Sequence, residues 1–280
     1  MRRCPAFVIR DLAALVSIVG VAGIFLALML GEARRAASPL VGLRNLGRIA
    51  MAAGQYRLDN ADYFPITLTY HPRGNGQPGW GTSNGWCSWS HMGKNNDAFW
   101  FSTSTGAFDV EAADRPLNPY FRPRVNFWAP TPPLRLPANA PERLQEGLFA
   151  EDPGDVVTYQ RAWPNPTPGL TSYNDVGTSY HWNGTWWFHP LLTGTFAQKM
   201  ATGTSWLATG THIDPARFIW NADQYALLVA TNSSPLAKIV NGFGDVNKSL
   251  VLFHDGHAAY QSIQPGQVYN TPDYHLTFSP

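Results

Sequence analysis

The feature that most constrains this chain is an uncharged apolar run close to its N-terminus. Residues 12–30 read LAALVSIVGVAGIFLALML, and none of these 19 side chains carries a charge. In an α-helix, such a run rises roughly 28 Å, which matches the ~30 Å hydrocarbon thickness of a bilayer. A short basic leader over residues 1–6 and one acid, Asp11, precede the run. The pattern therefore predicts a transmembrane helix over 12–30.

The same helix is predicted to continue beyond the membrane as an amphipathic segment. Its apolar side chains recur at three- and four-residue steps, as one helical face requires: Leu43, Leu46, Ile49, Ala50, Ala53 and Tyr56. Pro39 removes a hydrogen bond inside the helix, and Pro65 lies at or beyond its end. We expect one helix over 7–62, kinked near residue 39, and a head domain over 63–280.

Composition limits what the head domain can be. Lys and Arg number 20 against 19 Asp and Glu, so the charge gives no reason to expect binding to nucleic acid. The cysteines are Cys4 and Cys87, which excludes a disulfide-stapled scaffold, and Cys87 is expected to be a buried apolar group. With 11 Trp, 23 Pro and only 14% charged residues, the head has the composition of a loop-rich exported domain.

Three interpretations of the N-terminal segment remain open on the residues alone. A secretory signal peptide has a basic start, but the apolar run here exceeds the usual ~7–15 residues and lacks a small-x-small cleavage site. A signal anchor fits the length, and Arg2, Arg3 and Arg10 favour a cytoplasmic N-terminus, although Arg34 and Arg35 oppose it. The third interpretation is a class III leader that is cut before the apolar run.

The third interpretation rests on a resemblance. The segment Ala6-Phe7-Val8-Ile9-Arg10-Asp11 resembles the cleavage site of type IV pilins and pseudopilins, with Ala6 where Gly is usual and Asp11 where Glu is usual. The resemblance implies that a prepilin peptidase cuts between Ala6 and Phe7 and that the new amine is methylated. It also implies that Asp11 pairs with the Phe7 amine of a neighbouring subunit, because a carboxylate at the membrane edge needs a partner.

Later segments are similar to pseudopilin-like proteins with a prepilin-type methylation segment, a group abundant in planctomycetes. They are residues 32–49, 56–65, 115–120, 179–183 and 251–258, the last reading VLFHDGHA. Membership implies a pilin-like α+β fold, with a long N-terminal helix packed on an antiparallel β-sheet head with long loops. It implies a non-enzymatic subunit of a type IV pilus-like or type II secretion pseudopilus-like filament. The subunit would insert in the bacterial inner membrane with its head in the periplasm, then join other pilin-like subunits in a filament at the cell surface or in the periplasm.

Strand and loop signals in the head follow from alternation and turn residues. A hairpin is predicted from residues 250–253 and 258–261 around a two-residue Asp255-Gly256 turn. Residues 178–188 are predicted as a strand containing an Asn183-Gly184 turn, and residues 219–220 and 226–230 as buried strands. Residues 71–106 and 128–141 are predicted as Gly-rich and Pro-rich loops.

Candidate site residues are few. His254, Asp255 and His257 form a compact cluster that a zinc ion could use with a further ligand, whereas the turn explains the same residues structurally. Calcium is possible in a loop such as that of Asp245 and Asn247. The sequence contains no hydrolase elbow, phosphate loop or zinc-helix motif, so no catalytic residue is predicted.

Aromatic residues raise an alternative function. Trp80, Trp86 and Trp89, with other tryptophans of the head, form a possible stacking platform, although most buried tryptophans belong to a core. The alternative is therefore a monomeric, membrane-anchored surface module that binds a glycan or a protein.

Overall fold

The computed structural model describes residues 39–66, 68–69, 85–102, 108, 110, 112, 115–121, 148–269 and 271–279. In chain order, the helices are α1 (residues 39–59), α2 (Ala98–Ser102), α3 (Asn118–Phe121), α4 (Ser172–Val176), α5 (Phe196–Thr209) and α6 (Gln224–Ala230). The strands are β1 (Leu68–Thr69), β2 (Gly85–Trp86), β3 (Thr158–Ala162), β4 (Asn165–Thr167), β5 (Tyr180–Trp182), β6 (Ile219–Asp223), β7 (Lys248–Phe253) and β8 (Ala258–Ser262). Short 3₁₀ turns occupy Leu148–Ala150 and Thr185–Phe188.

Helix α1 is the outer part of the predicted N-terminal helix, and it lies against the head. Leu46 and Ile49 are fully buried in a core that also contains residues of the sheet. The predicted apolar stripe is thus confirmed as the docked face of α1. Pro39 is the first described residue of the helix, so the predicted kink lies outside the described residues.

The helix ends at residue 59, three residues before the predicted end. The side-chain amide of Asn60 donates to the carbonyl of Tyr56 over 2.8 Å. Ala61 and Asp62 then adopt left-handed backbone conformations, with φ of 50° and 63°, which turn the chain toward Pro65.

The central sheet is antiparallel, with the strand order β5-β6-β7-β8. Tyr180 lies opposite Asp223 between β5 and β6, and Leu250 lies opposite Tyr260 between β7 and β8. The connections between successive strands of this sheet run through α5 and α6 and then through the β7–β8 turn.

The predicted C-terminal hairpin is confirmed, but its turn is one residue longer than expected. Gly256 N donates to Phe253 O over 3.0 Å, and Phe253 N donates to His257 O over 2.9 Å. Gly256 has φ of +93°, the value that a three-residue loop requires after its first turn. The glycine therefore matters for conformation, because an L side chain is strained there.

Both faces of β7 are buried, and each faces a different core. Leu250 and Leu252 belong to the core beneath α1. Val251 and Phe253 belong to a second core that contains residues of α6 and of the C-terminal segment. Because side chains alternate across a strand, the sheet forms a middle layer between α1 on one side and α6 on the other.

Two strand predictions were wrong in detail. Residues 226–230 belong to the helix α6, whose first turn is capped by the Asp223 carboxylate accepting from Tyr225 N over 2.9 Å. A short apolar run cannot distinguish a buried strand from a buried helix. Within 178–188, the strand β5 covers only Tyr180–Trp182, and a 3₁₀ turn follows over Thr185–Phe188.

The sequence analysis did not predict helix α5, although its N-terminus carries a clear signal. Thr195 and Gln198 form a capping box, in which each side chain bonds the other residue's backbone N–H. Gly210 ends the helix in the left-handed conformation, with φ of 70°. The described chain is thus an α+β fold with antiparallel sheets and an N-terminal helix, as expected at that level.

Candidate functional site

The predicted processing and assembly residues Ala6, Phe7 and Asp11 lie outside the described residues, as does the apolar run 12–30. In the part of the chain that the structure describes, no helix is long and apolar enough to cross a membrane. The geometry that bears on assembly is therefore that of α1 and its contacts.

Helix α1 has a second face, which is exposed to solvent. We call it the open face, and it consists of Leu40, Arg44, Arg48, Met51, Gln55 and Leu58. These positions are spaced three or four residues apart, so they form one stripe along the helix. Leu40 is 65% exposed, Met51 70% and Leu58 78%. The stripe thus presents three large apolar side chains and two arginines to solvent.

The open face continues into a groove of about 960 Å³ between α1 and residues 149–155. Arg44 and Arg48 line one wall, and Glu151 and Asp155 line the other. The two walls therefore differ in character, with arginines on one and acidic side chains on the other.

The docked face approaches the sheet most closely at Gly42. A Cβ built at Gly42 would lie 2.2 Å from a methyl of Leu250 and 2.6 Å from Oδ2 of Asp152. The hydroxyl of Tyr180 donates to the same Asp152 oxygen over 3.0 Å. Gly42 therefore lets the helix backbone approach a polar pair that is buried beneath it.

Three aspartates sit close together behind this contact, around a cavity of about 10 Å³. Burial raises the pKa of Asp152 to about 8, with nearby Asp223 adding to the rise. Burial raises the pKa of Asp155 to about 7, against hydrogen bonds from Ser179 and from backbone N–H groups. Burial likewise raises the pKa of Asp223 to about 6, although Ser249 and backbone donors oppose the rise.

The hydrogen bonds of these aspartates account for their positions. Asp155 accepts from the N–H groups of Ser172 and Tyr173 at the start of α4. Asp223 caps α6 and also accepts from Leu250 N in the adjacent strand β7 over 2.9 Å. Their role is to satisfy buried backbone donors, which are costly to leave unbonded. The sequence analysis missed this cluster because its members are far apart in the chain.

The three candidate metal ligands do not converge, because His254 points away from Asp255 and His257 to other partners. The Nε2 atom of His254 lies 2.7 Å from Leu207 O, and its ring packs on Phe64 with centroids 4.8 Å apart. His257 Nδ1 instead contacts Asp255 Oδ1 over 2.6 Å beside the turn. Within the described ranges, no group of three His, Cys, Asp or Glu side chains is placed to hold a metal ion.

The loop considered for calcium is held by its own hydrogen bonds. Asp245 Oδ2 accepts from the Tyr260 hydroxyl over 2.9 Å and lies 3.6 Å from the Lys248 ammonium. Asn247 accepts from Ile239 N and donates to Ala237 O. These side chains thus shape the 237–247 loop. Calcium binding at this loop stays an expectation from the sequence.

Only part of the tryptophan platform suggested by the sequence lies within the described residues. Trp80 and the side chain of Trp86 lie outside the described residues. Trp89 is only 7% exposed, and its ring packs on that of Trp100 with centroids 5.0 Å apart. Trp89 is therefore a largely buried ring, and the platform of Trp80, Trp86 and Trp89 stays a hypothesis from the sequence. Cys87 beside Trp89 is buried, as predicted.

Two motifs that carried the resemblance have structural roles. The buried Arg115 guanidinium donates to the carbonyls of Trp89 and Val176, over 3.1 and 2.9 Å, among other acceptors. Asn118 bonds Gly93 through both its N–H and its C=O, each over 2.8 Å. Asn183 donates to Ile219 O and Leu276 O and so joins β5, β6 and the C-terminal segment.

An aromatic cavity of about 380 Å³ is a feature that the sequence analysis missed. Trp163 lies in the turn between β3 and β4, while Trp187 and Phe188 lie in the 3₁₀ turn after β5. The Trp187 and Phe188 rings are stacked, with centroids 5.8 Å apart and planes inclined by 8°. The runs of aromatic residues were visible in the sequence, but their convergence depends on tertiary structure.

A hydrogen-bonded chain of Ser88, His181 and Ser172 lies at the base of this cavity. Ser172 Oγ donates to Thr178 O over 3.1 Å and lies 2.8 Å from Nε2 of His181. With the Ser172 proton committed, Nε2–H of the imidazole donates to Ser172, and Nδ1 accepts from Ser88 Oγ over 3.1 Å. Burial lowers the pKa of His181 to about 3, so the ring is neutral and suited to structure rather than to base catalysis.

Compared with protein-family models, with curated proteins and with solved structures, the chain matches none of them. Any functional conclusion therefore rests on the sequence pattern and on the geometry described above.

Proposed function

We propose that the chain is a structural subunit of a type IV pilus-like or type II secretion pseudopilus-like filament, assembled through its N-terminal helix. The observation that carries the proposal is the open face of α1, where Leu40, Met51 and Leu58 are exposed along one stripe. The proposal joins this face to the apolar run 12–30, which precedes it in the chain.

The physical argument concerns what the exposed apolar side chains are for. The docked face already supplies the contacts that hold α1 to the head, through Leu46 and Ile49. Large apolar side chains on the opposite side of a helix are costly to leave in water, at about 25 cal/mol for each Å². Packing of α1 against the helices of neighbouring subunits would bury them.

The remaining steps follow from the sequence. The chain would enter the inner membrane through residues 12–30, and prepilin peptidase would release Phe7 with a free amine. Asp11 would pair with that amine on the next subunit and set the axial register, since an unpaired carboxylate in low dielectric is costly. No metal, cofactor or catalytic residue takes part in this proposal, and the head loops would serve recognition.

Site-specific photocrosslinking in cells tests the proposal. A benzophenone-bearing amino acid replaces Met51 on the open face, and in a matched variant it replaces Leu236, which is 85% exposed on the head. We expect a ladder of crosslinked oligomers from position 51 and mostly monomer from position 236. If both positions give only monomer, the filament proposal fails, and the monomeric surface-anchored module becomes the better account.

A further inference from the structure

The aromatic cavity between the β3–β4 turn and the 3₁₀ turn after β5 has the properties of a small-ligand site. Its volume of about 380 Å³ falls in the range of ~300–1,000 Å³ that is usual for such sites. Trp163, Trp187 and Phe188 line it from two separate loops, and Trp89 and His181 lie deeper.

The lack of charged side chains in the described lining favours an uncharged ligand. Among the described residues that line the cavity there is no Asp, Glu, Lys or Arg. The buried His181 donates to Ser172 and accepts from Ser88, and it is neutral at physiological pH. A charged ligand would lose hydration here without gaining a counter-charge, which costs several kcal/mol.

The exposed rings favour a flat ligand with one apolar face. Trp163 is 43% exposed and Phe188 81% exposed, although both are large apolar side chains. Trp163 also meets the Tyr159 ring edge-on, with centroids 6.5 Å apart and planes at 71°, which holds its orientation. An aromatic ring held at the surface in this way stacks well on the C–H face of another ring.

Polar groups within the aromatic walls distinguish a sugar from a fully apolar ligand. Gln160 lines the cavity, and its side-chain amide makes no hydrogen bond to the described residues. The amide therefore offers both donors and an acceptor to hydroxyl groups. Ser88 commits its proton to His181, so its oxygen remains an acceptor at the base of the cavity.

We propose that this cavity binds a neutral saccharide, with sugar rings stacked on Trp163 and Trp187 and with hydroxyl groups bonded by Gln160 and Ser88. Of the tryptophans that the sequence pattern had singled out, Trp89 lies at the inner wall of this cavity, whereas the stacking faces proposed here belong to Trp163 and Trp187. The proposal does not depend on filament assembly, because every residue of the site lies in one head.

Calorimetric titration of the full-length protein tests the site. The protein is purified in a detergent without a sugar headgroup, since a glycoside detergent would compete. The probes are cellohexaose, chitohexaose and mannohexaose, each titrated to ~10 mM, which detects a Kd near 1 mM. We expect saturable binding of at least one probe, weakened roughly tenfold by Trp163→Ala and by Trp187→Ala. Trp163→Phe should retain most of the affinity, because an aromatic face remains.

The controls separate the site from general effects. Tyr63→Ala removes an aromatic side chain that is 54% exposed and lies outside the cavity, so binding should be unchanged. Gln160→Leu should weaken saccharide binding, whereas an apolar peptide in the same cavity would bind this variant at least as well. The proposal is overturned if none of the three probes binds. It is equally overturned if the tryptophan variants, folded by circular dichroism, bind like the wild type.

Discussion

The docked and open faces of α1 share one helix but differ in what their residues do. The docked face buries Leu46 and Ile49 completely and brings Gly42 against Leu250 and Asp152. The open face exposes Leu40, Met51 and Leu58, each by more than half. The head uses only the docked side of the helix for its own core, which leaves the large apolar side chains of the other side exposed.

Alanine substitutions at Ile49 and Met51, which lie on opposite faces of α1, test the assignment of the two faces most directly. Ile49→Ala leaves a cavity in the core and should lower the free energy of unfolding by about 2–5 kcal/mol, because Ile49 is fully buried. Met51→Ala should change it by less than about 0.5 kcal/mol, since Met51 is 70% exposed. Denaturant titration of the full-length protein measures both values. Equal losses at the two positions would contradict the assignment of the faces.

A buried and an exposed glycine of α1 test how closely the docked face approaches the head. Gly42→Ala forces a methyl group into the contact with Leu250 and Asp152, and we expect a loss of about 1–3 kcal/mol from overpacking. Gly54→Ala meets nothing within 4 Å and should stabilise the helix by up to about 1 kcal/mol.

Thermal melts of the two glycine variants in the same detergent measure both changes in stability. At about 2–4 °C for each kcal/mol in a domain of this size, the two midpoints should move in opposite directions. A melting temperature for Gly42→Ala at or above that of the wild type would show that the close approach at Gly42 does not constrain docking.

The features that the sequence predicts correctly are set by interactions between residues that are close together in the chain. The docked stripe of α1 and the β7–β8 hairpin were predicted because helical periodicity and the Asp255-Gly256 dipeptide act within a few residues. Residues 226–230 were assigned to the wrong element, since an apolar run of that length fits a strand as well as a helix. The Asp223 side chain, which caps the N-terminus of α6, is the local signal that favours the helix.

The site residues were harder to predict because they converge over long distances in the chain. Asp152, Asp223 and Tyr180 meet beneath α1 from three separate elements. Likewise, Gln160, Trp163 and Trp187 share one cavity although a strand and two separate turns supply them. Composition marked the head as rich in aromatic residues, but it could not tell the buried Trp89 from the exposed Trp163.

The buried carboxylate beneath the docked face gives a pH dependence that the open face lacks. The raised pKa of Asp152, about 8 against 3.8 when unfolded, means that the folded state holds the proton more tightly. Stability contributed by this group is complete below pH ~4 and is lost as the pH rises toward 8. Within that range, the contribution of Asp152 to the free energy of unfolding should fall by about 1.4 kcal/mol for each pH unit, and each kcal/mol corresponds to about 2–4 °C in melting temperature.

Substitution of this carboxylate isolates its contribution. In Asp152→Asn, the fall in melting temperature between pH 5 and pH 8 should be smaller than in the wild type, because the amide does not titrate. Met51→Ala serves as the control and should keep the wild-type slope. Identical slopes in Asp152→Asn and wild type would mean that other groups, such as Asp155 and Asp223, carry the pH dependence.

The smallest effect on the head is expected from a charge placed on the open face. Met51→Asp should leave the melting temperature within about 1–2 °C of the wild type, since the side chain is solvated in the monomer. The same carboxylate would be buried between helices in a filament, so the crosslinked oligomers from a benzophenone-bearing residue placed at Leu58 should largely disappear. Unchanged oligomers with Met51→Asp would place the subunit contact elsewhere.

The central claim is that the N-terminal helix serves first as a membrane segment and then as the packing element of a polymer. Mass spectrometry of the N-terminal peptide from protein isolated from its native cells tests this claim most directly. The account predicts a mature chain that begins with N-methylated Phe7 and lacks residues 1–6. A chain that still carries Ala6 joined to Phe7, or one cut after residue 30, would contradict it.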